Sequence, residues 1–168
     1  MNSARVSFFI FLLIGFSVLW SEEAMSQDVQ DNLIGEVTLD QIIENSRIFK
    51  VYVDRYEPDP RDIEYLSSLN GDYSIVVFFG SWCRESTKYT PGLVKTLNLV
   101  NNDQIEVTYV GVDEQKKFPN EFLKLFDIKY IPTVVVLKDG NEYGRIVERP
   151  QLPIETELVQ ILKRLQEN

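Results

Sequence analysis

The side chain in this sequence best suited to nucleophilic chemistry is a thiol, and there is one of it. Cys83 is the single cysteine of 168 residues, and the chain contains no histidine. It stands in Trp82-Cys83-Arg84-Glu85-Ser86, directly after the apolar run Tyr73–Phe79. A thiol attacks as its thiolate, and a helix amino terminus favours the charged form through free backbone N–H groups and the positive end of the dipole. Arg84 adds positive charge beside the sulfur and Glu85 opposes it. The second feature with chemical meaning is Ile131-Pro132-Thr133, because an X–Pro bond is the one peptide bond that readily adopts the cis form. The lack of histidine removes the commonest general base and the commonest metal ligand. With one cysteine besides, neither a zinc nor an iron–sulfur site is expected. Gly-rich phosphate-binding loops are absent, so no cofactor is expected.

These residues need a scaffold that holds a helix start against a loop far along the chain. Tyr73 to Phe79, YSIVVFF, predicts a strand buried on both faces. A helix from about Arg84 to Leu99 follows, with Pro91 inside it as a kink. Ile105 to Val112 predicts a second central strand, Phe118 to Phe126 a short helix, and Thr133 to Lys138 a third strand. Asp139-Gly140 is a hairpin signal leading into Glu142 to Glu148, and Glu155 to Leu165 is a closing amphipathic helix. Upstream, Thr38 caps a helix from Leu39 to Asn45. The alternating Phe49-Lys50-Val51-Tyr52-Val53 predicts a strand, and Pro60 opens a helix from Arg61 to Leu69. The order predicts an α/β domain with a central mixed sheet flanked by helices. Tyr89, Tyr109 and Tyr130 read as core or rim residues, and Asp113 and Glu114 as solvated loop charges.

The tryptophan–cysteine pair at a strand–helix joint, the I-P-T triplet and the Gly-bearing hairpin together resemble the thioredoxin superfamily. The resemblance covers about residues 71–168. It implies a thioredoxin-like fold, Cys83 as the nucleophile, and a cis-proline at Pro132 lying across from the thiol. It further implies that Trp82, Ile131, Pro132 and Thr133 bind substrate, with the Ile131 backbone pairing an extended polypeptide. Two departures matter. Ser86 stands where the family carries its resolving cysteine, and Val77 where it carries a buried acid. Cys83 can therefore form a mixed disulfide but needs an outside thiol to clear it, and Ser86 is left as a group that could hydrogen-bond the thiolate.

Residues 1–26 are a separate matter. Arg5 precedes the apolar run Val6–Trp20, and small residues surround Met25. The run is short for a hydrocarbon core of roughly 30 Å, so it predicts a secretory signal peptide cut near Ser26, with a retained anchor as the alternative. Residues 27–36 read as a flexible lead-in and 37–168 as the domain. The expected location is an exported space, periplasmic or secreted, where an unpaired cysteine is unusual. Seventeen basic against 26 acidic residues give a net charge of −9, and no Lys/Arg cluster is visible along the sequence. Nucleic acid is therefore not an expected partner, nor is stable membrane insertion once the leader is removed. The expected partners are protein or small-molecule thiols and disulfides. Two functions follow: monothiol thiol–disulfide exchange or isomerisation through Cys83, or a non-catalytic module that holds an extended peptide or a partner protein.

Overall fold

The computed structural model describes residues 32–166. The expected signal peptide, and the lead-in up to residue 31, lie outside the described residues. The elements run β1 (Gly35–Val37), α1 (Leu39–Asn45), α2 (Arg47–Arg55), α3 (Pro60–Ser67), β2 (Tyr73–Phe79), α4 (Arg84–Val100), β3 (Ile105–Gly111), α5 (Asn120–Leu125), β4 (Thr133–Lys138), β5 (Asn141–Val147) and α6 (Ile154–Gln166). The five strands form one sheet in the order β1-β3-β2-β4-β5. β2 and β3 are parallel, while β1, β4 and β5 each run antiparallel to their neighbours. The sheet is mixed, as expected, and β2 at its centre is the continuous apolar run.

Period-2 alternation sends the β2 side chains into two cores. Ile75, Val77 and Phe79 join Phe49, Leu66, Leu93 and Leu158 on one face. Val76 and Phe78 join Val110, Leu123, Ile131 and Val135 on the other, where Trp82 and Cys83 also pack. The thiol thus belongs to the α5 face of the sheet, and the large helical core belongs to the opposite face.

The expected strand at Phe49–Val53 is the helix α2 instead. Phe49 and Val53 are buried while Lys50, Val51 and Tyr52 are exposed. That is one helical face at spacing four, which the alternating pattern also satisfies. Ser46 starts the helix by accepting the Phe49 N–H at 3.2 Å, and Lys50 pairs with Asp54 one turn on at 2.7 Å. The sheet position that a strand there would have taken is filled by β1, which pairs with β3 from Gly35↔Gly111 to Val37↔Tyr109. Gly35 and Glu36 therefore belong to a strand rather than to a loose lead-in. The starts of α1 and α3 follow the sequence. Thr38 and Gln41 form a reciprocal capping box on α1. Asp59 caps α3, with Pro60 in its first turn. The hairpin turns through Asp139 at φ 51 and Gly140 at φ 75, as a two-residue turn with both central φ positive requires.

One buried carboxylate joins distant parts of the helical side. Glu155, 2% exposed in the first turn of α6, accepts the Tyr56 hydroxyl at 2.6 Å and the Asp59 N–H at 3.1 Å. Burial, and then the bond to this carboxylate, pushes the Tyr56 hydroxyl pKa above its ordinary value. Charge inside a protein is tolerated when it is hydrogen-bonded in this way, and the pair pins the α2–α3 turn to α6.

Candidate active site

Cys83 is the residue that caps α4. Its backbone is extended, at φ −87 and ψ 123, and its side chain makes no capping bond. The Cys83 N–H closes a tight turn onto the Gly80 carbonyl at 2.9 Å, and its own carbonyl accepts the Thr87 N–H at 3.0 Å. The thiol is half-buried and unpaired. Its S–H donates to the Ile131 carbonyl at 3.8 Å. The Ile131–Pro132 peptide bond is cis. The sheet pairing, which sets Phe78 opposite Thr133, brings the start of β4 beside the end of β2. The Cys83 thiol thus meets the carbonyl of the residue before Pro132, and Trp82 packs on the same cluster as Ile131.

Each neighbour has an identifiable task. The Trp82 indole N–H donates to the Val112 carbonyl at 2.9 Å, which holds the ring against the end of β3. Gly80 makes that placement possible. A Cβ there would lie 2.8 Å from the Trp82 ring and 2.9 Å from Ile131 Cδ1. Thr133 is buried and bonds its hydroxyl to the Tyr130 carbonyl at 2.7 Å. It braces the proline loop and, being buried, offers no exposed contact surface. Glu85 is turned aside: its carboxylate pairs with Arg149 at 3.2 Å.

Ser86 differs from its expected role. It is 1% exposed, and its hydroxyl accepts the Gly80 N–H at 3.1 Å, so its hydrogen bond runs to the backbone rather than to the sulfur. The physical reason is position. Ser86 is one turn inside α4 on its buried face, aimed at the sharp exit of β2. Val77 is fully buried in the opposite core, so the apolar residue at that position is packed as one.

The loop before α5 departs furthest from the expectation of solvated charges. Asp113 is not solvated: it is 6% exposed and accepts the N–H groups of Lys117 at 2.6 Å and Phe118 at 2.7 Å. Phe118 and Tyr130 are exposed aromatics, and the Phe118–Pro119 bond is also cis. The helix expected from Phe118 begins at Asn120 because Pro119 is its capping residue. The Asp-x-x-x-Lys-Phe segment carried no signal by residue type. Its meaning lies in a carboxylate folded back on its own loop.

The family model described as Thioredoxin matches residues 37–162. The chain belongs to the thioredoxin family. A thioredoxin of Chlamydia pneumoniae is 33% identical over 92 residues, covering 51% of this chain and 83% of that protein. A protein disulfide-isomerase of Ricinus communis is 28% identical over 71 residues, 42% of this chain; the chain spans 14% of that relative's own length. A solved HIV epitope-scaffold aligns with a TM-score of 0.59 at 18% identity, covering 78% of this chain and 94% of the scaffold. That likeness shows the fold alone. Against the thioredoxin pattern, the chain keeps the tryptophan, the first cysteine and the proline loop, and replaces the second cysteine by Ser86.

Proposed function

We propose that this chain is an exported monothiol member of the thioredoxin family that exchanges disulfides through Cys83. The observation that carries the reading is the thiol itself: half-exposed, at the first turn of α4, and hydrogen-bonded to the carbonyl of the residue before Pro132. An extended segment of a partner lies along Ile131 and Pro132 against the Trp82 ring. The Cys83 thiolate attacks one sulfur of the partner's disulfide. A new S–S bond joins Cys83 to that sulfur, and the other sulfur leaves as a thiolate and takes a proton from water. No electrons are gained or lost overall. Ser86 has no sulfur with which to displace the bound partner, so release needs a second, external thiol, small or protein-borne. That thiol either regenerates Cys83 or, when it belongs to the same partner, leaves it with a rearranged disulfide. Ser86 serves here as a positioning residue that fixes the Gly80 turn.

Export rests on the apolar run Val6–Trp20 with its small-residue site near Ser26, and names the space in which such partners are found. Among the described residues, no helix is long and apolar enough to cross a membrane.

A second reading is favoured by Val77 and by the Ser86–Gly80 bond: the groove holds a partner without chemistry. One experiment separates the two. The full chain and its Cys83→Ala variant are expressed in the exported fraction and used to capture partners, with and without reductant. Covalent partners that vanish with reductant and with Cys83→Ala support exchange. Partners held equally by both proteins under both conditions point to the binding module.

A further inference from the structure

The sequence leaves a balance of charge open at the thiol, with Arg84 beside the sulfur and Glu85 opposing it. The fold brings a third charge to the same turn from far along the chain. Arg149, in the loop after β5, donates from its guanidinium to the Glu85 carboxylate at 3.2 Å. Among the described residues Arg84 forms no ion pair. The carboxylate at the start of α4 is thus matched, while the guanidinium next to the sulfur is not.

The loop that carries Arg149 is held on both sides of it. The Glu148 N–H donates to the Pro132 carbonyl at 2.7 Å, and Pro132 follows the residue whose carbonyl accepts the thiol hydrogen bond. The Gln151 and Leu152 N–H groups both donate to the Glu157 carboxylate of α6, the second at 3.0 Å. Arg149 therefore links the proline loop to the first turn of α4, the two parts of the site that meet at the sulfur. Its side chain is 70% exposed but reaches a Glu85 side chain that is only 24% exposed. The remaining charges in the first two turns of α4 and in this loop are Lys88, over the Tyr89 ring at 4.7 Å, and the exposed Glu148. On the side of the proline loop, Lys129 pairs with Asp127 at 2.9 Å.

We infer that Arg149 is a positioning residue for the reaction of Cys83: it holds and offsets the Glu85 carboxylate, so that the thiolate forms without an opposing charge in its own turn. The inference rests on the exchange reading and names a residue that regulates the same site. A carboxylate beside a forming thiolate disfavours the charged form, and a guanidinium bonded to that carboxylate cancels the effect. With the pair intact, the helix N–H groups and Arg84 act on the sulfur unopposed. The pair contributes little to folding, as ion pairs at a surface do. The sulfur, unlike the fold, changes charge on the way to reaction and therefore reports it.

The test follows the release of pyridine thione from dipyridyl disulfide by the full chain at low salt. Cys83 attacks one sulfur of this uncharged reagent, a Cys83–pyridyl disulfide forms, and the other sulfur leaves as the absorbing thione. R149Q is expected to react about threefold more slowly than the wild type, the size of an exposed charge interaction. Its pH–rate curve should move to the alkaline side, and the difference should shrink as salt rises. Removing the acid as well, in E85Q/R149Q, should restore the rate, and R149K, which keeps the charge, should hold most of it. An unchanged rate in R149Q, a double variant as slow as R149Q, or an R149K as slow as R149Q overturns the inference and leaves exchange intact. A slowing that tracks loss of urea stability across the variants overturns it too, because the pair would then act through the fold. No thione release from the wild type or from any variant sinks the exchange reading, and this inference with it.

Discussion

The joint between β2 and α4 and the paired helices α1–α2 both carry aromatic and β-branched residues, yet only the first was specified by local pattern. At the joint, the run Tyr73–Phe79 is too long and too β-branched to be anything but a central strand. Cys83 must then emerge where the strand ends, with Gly80 allowing the Trp82 ring and Ile131 to close over it. In α2, Phe49-Lys50-Val51-Tyr52-Val53 satisfies two periods at once. The choice is made by a cap at Ser46 and by β1 filling the sheet edge. A functional joint is thus determined by short-range necessity, while the helices that buttress it are determined by what space the sheet leaves.

The largest effect that sharpens this contrast comes from α2. Phe49→Ala removes a ring buried in the helical core and is expected to cost about 3–5 kcal/mol, the usual range for a core aromatic. Val51→Ala should cost almost nothing, because Val51 lies off that face and is exposed. Urea unfolding of both variants reads the difference. Equal losses at 49 and 51 would mean that the two share a face, as they do in a strand, and the helical account of this segment would fail.

The legible part of the molecule follows the same division. Trp82, Cys83, Ile131 and Pro132 are legible through the motifs that carry the family resemblance, and the β2–β4 pairing sets those motifs at adjacent strand ends. Three features are hidden because they depend on where side chains turn once the elements have formed, which residue type alone does not announce. By type Ser86 could hydrogen-bond the sulfur, but helix phase turns it toward Gly80. By type Asp113 is a solvated loop charge, but it folds back on the amides of its own loop. Glu155 gave no signal either: its partners Tyr56 and Asp59 lie almost a hundred residues away, at separations of 99 and 96.

Within the joint itself, Ser86→Ala tests whether the serine is a brace or a reacting group. The variant leaves the Gly80 N–H buried without its partner, which should cost roughly 1–3 kcal/mol. The rate of Cys83 alkylation should change far less than the stability, since the bond removed does not touch the sulfur. Stability loss with an almost unchanged alkylation rate supports the brace. A large drop in rate with intact stability would return the hydroxyl to the thiol.

The smallest expected effect lies in the Asp113–Phe118 loop, and it is a matter of pH. The Asp113 carboxyl is held below its ordinary pKa chiefly by the Phe118 N–H, with the Lys117, Gln115 and Asp113 amides adding to it against the opposing effect of burial. The folded state therefore binds this proton less readily than the unfolded chain. The resulting stabilisation is complete above the unfolded carboxylate value of about 3.9 and disappears as pH falls through the lower folded value. Near neutrality the loop should show no pH response from this group. On acidification the wild type should lose both stability and the ordering of Lys117 and Phe118, seen as faster amide hydrogen exchange in that loop. Asp113→Asn keeps an acceptor oxygen but has no proton to bind, so its acid-side slope should be shallower than that of the wild type. Identical slopes in the two proteins would show that the loop is ordered by something other than this carboxylate.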